Sequence, residues 1–406
     1  MKKVLLMLAM ATAAMTARAH QFRVLNKGKL IYYNVVSEGN LTIEVTYSGN
    51  AYNAVPNEYA DNIEIPEKVS QLGKDYTVVG IGKDAFRGCI RLRSVKMPKT
   101  VSNIDESAFE GCQGLVTVQL PEGVEEIKKE TFAGCENLSY IKIPSTVEKI
   151  DESAFKNCSM MVNLILPASL NVFNTNAVDG CKSMTSIEVD TLNAVYSSRN
   201  GVLFDKNGTT ILRCPEGKAS YIIGDGVSVI GERAFRGCSK LNAIEIPYNV
   251  KQMMNGAFEE CTLLKEIKIP ESLTFVADGA FKNCTTLRDV TLSEQTKMVR
   301  EESFSGCTAL ENLNIPEVTE IGTRAFYNCT ALKTLVLPKT LKLLRKEAFG
   351  GCANLMDIKA EAAVPAQCEG SVFDPRSTYK CALTVPEGKV AAYRGAVGWK
   401  GIYSIK

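Results

Sequence analysis

Apolar residues recur along most of the chain in one frame: Leu-x-x-Ile-x-Ile-Pro, then Val-x-x-Ile, then Ala-Phe-x-x-Cys, after which the frame starts again. One copy reads Phe132, Cys135, Leu138, Ile141, Ile143, Pro144, Val147 and Ile150, with Ala154 and Phe155 opening the next. Leu115, Val118, Leu120, Pro121, Val124 and Ile127 fill the same slots in an earlier copy, and Leu332, Leu335, Leu337, Pro338, Leu341 and Leu344 in a later one. The alternation in Leu-x-x-Ile-x-Ile predicts a strand with one buried face, and the proline closes it where no further ladder bond is needed. Val-x-x-Ile predicts a second short extended piece on the opposite side of each copy. Ala-Phe-x-x-Cys-x-x-Leu has apolar residues three apart, which predicts a tight corner of one helical turn. Gly or Asn stands just before the cysteine in Arg-Gly-Cys, Lys-Asn-Cys and Ala-Gly-Cys, where a left-handed residue would turn the chain.

The cysteines set the period. Cys89, Cys112, Cys135, Cys158 and Cys181, then Cys238, Cys261, Cys284, Cys307, Cys329 and Cys352, fall almost entirely on a 23-residue grid. A unit of this length cannot bury its own apolar face and must stack on neighbours, so the pattern predicts a solenoid. Ten of the eleven copies place Phe three residues before the cysteine, and Val178 takes that slot in the other. The step from Cys181 to Cys238 is 57 residues instead of 23, which puts an insertion at 190–222 of the array. Inside it, apolar runs at 202–204 and 210–213 flank Asn207-Gly208 and predict a β-hairpin. The insertion is expected to bulge from the stack as a spacer coil, with a binding loop as the alternative, because insertions in arrays collect on one face.

A solenoid must also cover its two ends with atypical units. Residues 20–75 are expected to form an N-terminal β cap with strands near 30–35 and 41–47, residues 76–360 the array, and residues 361–406 a C-terminal cap. In the last, a strand is expected at 382–386, a short helix at 389–394, and the sole tryptophan, Trp399, as a lid.

The frame resembles the BspA-like, treponemal-type leucine-rich repeat of bacterial surface proteins, through eleven copies over about residues 76–360. The resemblance implies an α/β solenoid: a right-handed, curved leucine-rich repeat array with a concave parallel β-sheet and atypical capping units at both ends. It further implies adhesion to, or recognition of, host or neighbouring-cell surfaces, with no catalytic residues to carry over.

Composition narrows the partners. Lys2-Lys3, a largely apolar run over 4–15 and Ala17-Arg18-Ala19 read as a signal peptide over residues 1–19, cleaved before His20. The chain is therefore expected to be exported, to the cell surface, the medium or the periplasm. Without Lys2, Lys3 and Arg18, 44 basic residues face 45 acidic ones, so nucleic acid and anionic lipid are excluded as partners. No segment approaches the ~20 apolar residues of a transmembrane helix. A monomer with a surface protein or glycan as partner is the expectation.

Fourteen cysteines in an exported chain would ordinarily mean disulfides. Equivalent cysteines in stacked coils point the same way, however, and parallel Cβ vectors disfavour the bridge dihedral. The grid cysteines are expected to be buried thiols acting as small hydrophobes, and Cys368 and Cys381, off the grid, are the candidate disulfide. No Cys-x-x-Cys pair occurs and His20 is the only histidine, so no metal, no cofactor and no imidazole-based catalysis is expected. Paired carboxylates such as Glu188 and Glu245 leave one alternative, a carboxylate-dependent glycan hydrolase on a solenoid. The leading expectation is a recognition scaffold, not an enzyme. Its ligand-binding residues are those facing outward on the Leu-x-x-Ile-x-Ile sheet: Tyr140, Lys142, Asn163, Ile165, Glu188, Glu245, Glu266 and Lys268, with Tyr140 and Ile165 as anchors.

Overall fold

The computed structural model describes residues 20–49 and 58–406. The leader expected over 1–19 lies outside the described residues. The described residues form two compact units, the first running to Met184 and taking in Val189–Val195, the second made of Thr185–Glu188 with Tyr196–Lys406.

In the first unit, β1 (Phe22–Asn26), β2 (Lys29–Ser37) and β3 (Thr42–Thr46) pair in antiparallel order. β4 (Asp61–Glu64) follows, then β5 (Lys68–Gln71) and β6 (Lys74–Ile81), a hairpin whose second strand lies parallel to β3. From there each repeat contributes to two parallel sheets. The Leu-x-x-Ile-x-Ile pieces make the first: β4 pairs with Leu92–Lys96, which pairs with Thr117–Gln119. The Val-x-x-Ile pieces make the second: Glu126–Ile127, Lys149–Ile150 and Val172–Phe173 pair in register. Between the sheets Tyr59, Phe86, Phe109, Phe132 and Phe155 form a column of buried rings with centroids 4.6–5.7 Å apart.

The second unit opens on a three-stranded antiparallel meander, Tyr196–Arg199, Val202–Asp205 and Thr210–Arg213. Its first turn is Asn200-Gly201, both left-handed (φ 51° and 72°), the two-residue geometry that Asn-Gly favours. The hairpin around Asn207-Gly208 is present, but the insertion does not bulge as a spacer. Val202, Leu203 and Phe204 are buried, and Thr210–Arg213 pairs in parallel with Val229–Ile230, so the insertion builds the first rung of the second sheet. That sheet continues through Gln252–Met253. Further rungs run from Phe275–Val276 to Gln367–Cys368. The first sheet is represented by Glu266–Lys268, Asp289–Thr291 and Asn312–Asn314, and by Thr334–Leu337, Asp357–Ala360, Ala382–Thr384 and Ser404–Ile405. The ring column here runs from Phe235 to Phe373, with Tyr221 tilted against Phe235 and Trp399 standing edge-on to Phe373. Trp399 is buried and its indole N–H donates to the Ala366 carbonyl at 2.8 Å.

The corners correct the α/β expectation. α-Helix is confined, among the described residues, to α1 (Pro375–Thr378) and α2 (Val390–Gly395). The repeat corners are instead successive turns that use two left-handed residues each: Asp84 with Gly88, Ser107 with Gly111, Ser153 with Asn157. Two left-handed residues within five reverse the chain more sharply than a helical turn can. They also leave the backbone free to bond from coil to coil: Phe86 N–H donates to Ala108 O at 2.8 Å and Gly88 N–H to Glu110 O at 2.7 Å. Where Val178 replaces the phenylalanine, the corner is a short 3-10 turn, Thr175–Val178.

The eleven grid thiols are buried and free, as the parallel Cβ argument requires. They are more than small hydrophobes. Cys112, Cys135, Cys158 and Cys181 donate to the carbonyls of Phe86, Phe109, Phe132 and Phe155 at 3.0–3.2 Å, and Cys261, Cys284 and Cys307 repeat this on Phe235, Phe258 and Phe281. Cys368 and Cys381 are also free. They are not brought together: Cys368 belongs to the second sheet, opposite Leu344, whereas Cys381 precedes the rung Ala382–Thr384 of the first.

Candidate ligand-binding face

On the first sheet the burial alternates as the frame requires, exposed then buried twice over in both Thr334–Leu337 and Asp357–Ala360. Where the rungs pair, side chains on the exposed positions stand on a hydrogen-bonded ladder. The expected ligand-binding residues take the outward slots of this strand, four in each unit.

Tyr140, Lys142, Asn163 and Ile165 belong to the first unit, on consecutive coils. Tyr140 is 51 % and Ile165 48 % exposed, and Lys142 pairs with Glu122 at 3.6 Å. Asn163 opens the strand Asn163–Leu166 and is half-buried. The coil carrying Tyr140 forms no strand, although its sequence fits the frame best, and residues 140–143 make no backbone hydrogen bond among the described residues. A separate cavity of 360 Å³ in this unit is lined by Arg91, Arg93, Gln113 and Asn137, and by none of the four expected residues.

Glu188, Glu245, Glu266 and Lys268 belong to the second unit. Glu188 accepts hydrogen bonds from Ser186 and, at 3.3 Å, from Ser198 of the meander. Glu245, Glu266 and Lys268 come together on a cavity of 350 Å³ with Ile244, Ile246, Ile267 and Pro270. Ile244, Glu245 and Glu266 also line a larger cavity of 580 Å³ whose other wall is Tyr221, Ile222, Ile223 and Asp225. Burial pushes the Tyr221 phenol up to about 12. Glu188 lines neither of these, so the carboxylates gathered here are Glu245 and Glu266, not Glu188 and Glu245.

Tyr221, Ile222 and Asp225 were not among the expected site residues. The signal for them was present: Tyr221 and Ile223 stand 23 residues before Ile244 and Ile246, in the same two apolar slots, at the edge of the insertion. No group of three or more His, Cys, Asp or Glu side chains placed to hold a metal ion occurs among the described residues.

Two facing sheets of short parallel rungs, stacked over columns of phenylalanine and cysteine, define a leucine-rich-repeat solenoid. The profile of the BspA type leucine-rich repeat region matches in six copies, over residues 79–199, 218–332 and 300–374, and the chain belongs to that family. Among solved structures it resembles a leucine-rich repeat protein from Bacteroides ovatus at 25 % identity and a TM-score of 0.56, covering 95 % of this chain and 99 % of that one. A leucine-rich repeat protein from Eubacterium ventriosum follows at 22 % and 0.63, covering 80 % and 87 %. A leucine-rich cell surface protein from Faecalibacterium prausnitzii matches at 23 % and 0.51, covering 84 % and 94 %. No match to a curated protein was found.

Proposed function

We propose that the protein is an exported recognition scaffold, displayed at the cell surface or released, that binds a protein or glycan of a host or neighbouring cell through the exposed side of the first sheet. The observation that carries this reading is the apolar cavity rimmed by carboxylates in the second unit; in the first unit Tyr140 and Ile165 stand half-exposed in the outward slots of their own coils. Membership of the BspA-type family supports it, as does the likeness to a leucine-rich cell surface protein. A right-handed path within each unit, with this sheet on the inner side, and action as a monomer complete the proposal. A few residues carry most of an interface's energy, aromatics prominent among them, and a charge placed at such a residue must be desolvated.

The test is binding of purified protein to glycan and protein arrays, with Tyr140→Asp/Ile165→Asp and Glu245→Lys/Glu266→Lys variants whose folding is checked by circular dichroism. Saturable binding weakened at least tenfold in one of the variants is expected, without cleavage of the bound partner. Binding unchanged in both would move the site off this face, and glycan cleavage would favour the hydrolase.

A further inference from the structure

We propose that the 360 Å³ cavity of the first unit binds the carboxylate of an acidic glycan, a sugar of the hexuronate class, between the guanidinium groups of Arg91 and Arg93. The proposal rests on the recognition reading above and names for it a further site and a ligand class.

The cavity lies where the chain leaves the corner for the first sheet, and a glycine makes room for it. Arg91, Gly114 and Asn137 each stand two residues after the cysteine of their coil, so they share one slot on consecutive coils. In the middle coil that slot carries no side chain, which leaves a gap between a guanidinium and an amide. Nothing larger than glycine fits there, because a Cβ on Gly114 would lie 2.3 Å from the Ile90 carbonyl oxygen. The Val116 N–H donates to Arg93 O at 2.9 Å and the Asn137 N–H to Gln113 O at 3.2 Å, so the backbone around the gap is tied from coil to coil. Arg91 and Arg93 are both exposed and flank Leu92, which is fully buried, so the two guanidiniums leave the coil on the same, outer side.

Two like charges on one side repel, and an anion between them is drawn to both. A guanidinium also meets a carboxylate with two parallel hydrogen bonds. The Arg93 side chain makes no hydrogen bond or ion pair among the described residues. The single acid lining the cavity, Asp61, is bonded to the Lys29 ammonium at 3.0 Å, so the lining keeps a net positive charge. Gln113 and Asn137 each add an amide, which offers donors and an acceptor together, the set that ring hydroxyls need. Gln113 donates once, to Glu136 at 3.0 Å, which leaves its carbonyl oxygen and second N–H for a ligand. The carboxylate of an acidic peptide brings no such hydroxyls, which is why the ligand class is a glycan. The outward slots of the neighbouring coils agree in sign. From Leu92 to Leu166 they hold Lys96 and Lys142 and no acid, whereas Glu188, Glu245, Glu266 and Asp289 take such slots in the second unit. A glycan running from the cavity over those coils meets no negative charge in their outward slots.

The probe is a tetrasaccharide of galacturonic acid, titrated by calorimetry into the full chain. Saturable binding is expected, weakened at least tenfold for the methyl-esterified tetrasaccharide, which keeps every ring and ring hydroxyl but carries no charge. The same loss is expected for Arg93→Gln, and Arg93→Lys, which keeps the charge but not the planar fork, is expected to recover only part of it. Arg23→Gln, at an exposed arginine of β1 outside the cavity, is expected to leave the affinity unchanged. The esterified sugar leaves the protein untouched, so it decides the matter even if Arg93→Gln folds poorly. Equal binding of acid and ester overturns the proposal, as do equal losses in Arg93→Gln and Arg23→Gln, a capped hexaglutamate peptide bound as tightly as the sugar, and no saturable binding of the acid at millimolar concentration. If the acid fails while an arrayed protein or glycan binds and is lost in Tyr140→Asp/Ile165→Asp or Glu245→Lys/Glu266→Lys, this site is overturned and the recognition reading stands. Failure of the acid and of every arrayed glycan and protein overturns both.

Discussion

Each grid cysteine supplies something that alanine or valine would not. The Phe258 carbonyl accepts the N–H of Cys261 at 3.2 Å from its own coil and the thiol of Cys284 at 3.1 Å from the next, so cysteine fills a small apolar slot and also satisfies a buried acceptor. Burial pushes the Cys158 and Cys284 thiols up to about 12, and thiolate is the reactive form. Native protein at pH 8 is therefore expected to resist alkylation at all grid positions. After unfolding without reductant, all fourteen cysteines should react, counted by mass spectrometry; a majority already oxidised would contradict the stacked-thiol arrangement. The ring column makes a second expectation. Phe258 and Phe349 are both fully buried and each stacks on two neighbours, so position along the array gives no discount. Replacing either by Ala is expected to cost ~3–5 kcal/mol in chemical denaturation, and an unchanged midpoint for either would show that its ring is not part of the core.

Among the elements, the corner is where sequence and structure part. Apolar spacing of three fits a helical turn and a left-handed turn equally well, and only the glycine or asparagine before ten of the eleven grid cysteines pointed to the second. The other left-handed positions hold Asp84, Ser107, Glu130 and Arg233, residues whose types carry no such signal, so the corner's true form was hidden. At the end of the array the corner ladder meets a side chain in place of a carbonyl: Asp374 accepts from Gly351 N–H at 3.1 Å while capping α1 through Arg376 N–H at 2.7 Å. Its bonds to the Arg376 guanidinium, then those backbone donors, hold the carboxyl below the usual carboxylate range. A depressed folded pKa stabilises at pH values above the unfolded value of ~3.9 and is lost as pH falls through the folded one. Asp374→Asn, which keeps a capping oxygen but not the charge, is expected to be less stable than the parent from pH 5 to 8, with the gap closing below about pH 4. Asp374→Ala adds loss of the cap, ~1 kcal/mol in thermal or denaturant unfolding. A gap that widens toward low pH would contradict the assignment.

Over the whole molecule, the repeat was legible because one apolar frame recurs: the two sheets, the ring column and the free thiols follow from Leu-x-x-Ile-x-Ile, Phe and Cys slots without reference to any fold. The site was less legible. Outward positions could be read from the alternation, and Glu245, Glu266 and Lys268 do share a cavity. The breaks in the ladder could not be read, because residues 138–144 and 241–247 carry the same apolar pattern as coils that do pair. Pairing depends on how neighbouring coils approach, and a periodic sequence says little about that. The 23-residue spacing of Tyr221 and Ile223 from Ile244 and Ile246 marked one more coil at the edge of the insertion, but it carried no sign that Ile222 and Asp225 would stand on the larger cavity. The claim that the first sheet is unbonded over two coils while the second sheet behind them is paired is tested most directly by amide hydrogen exchange, which reads backbone bonding residue by residue. In the free protein, amides over 219–223 and 242–246 are expected to exchange orders of magnitude faster than those of Asp289–Thr291. Protection over those two segments equal to that of the paired rungs would contradict the account.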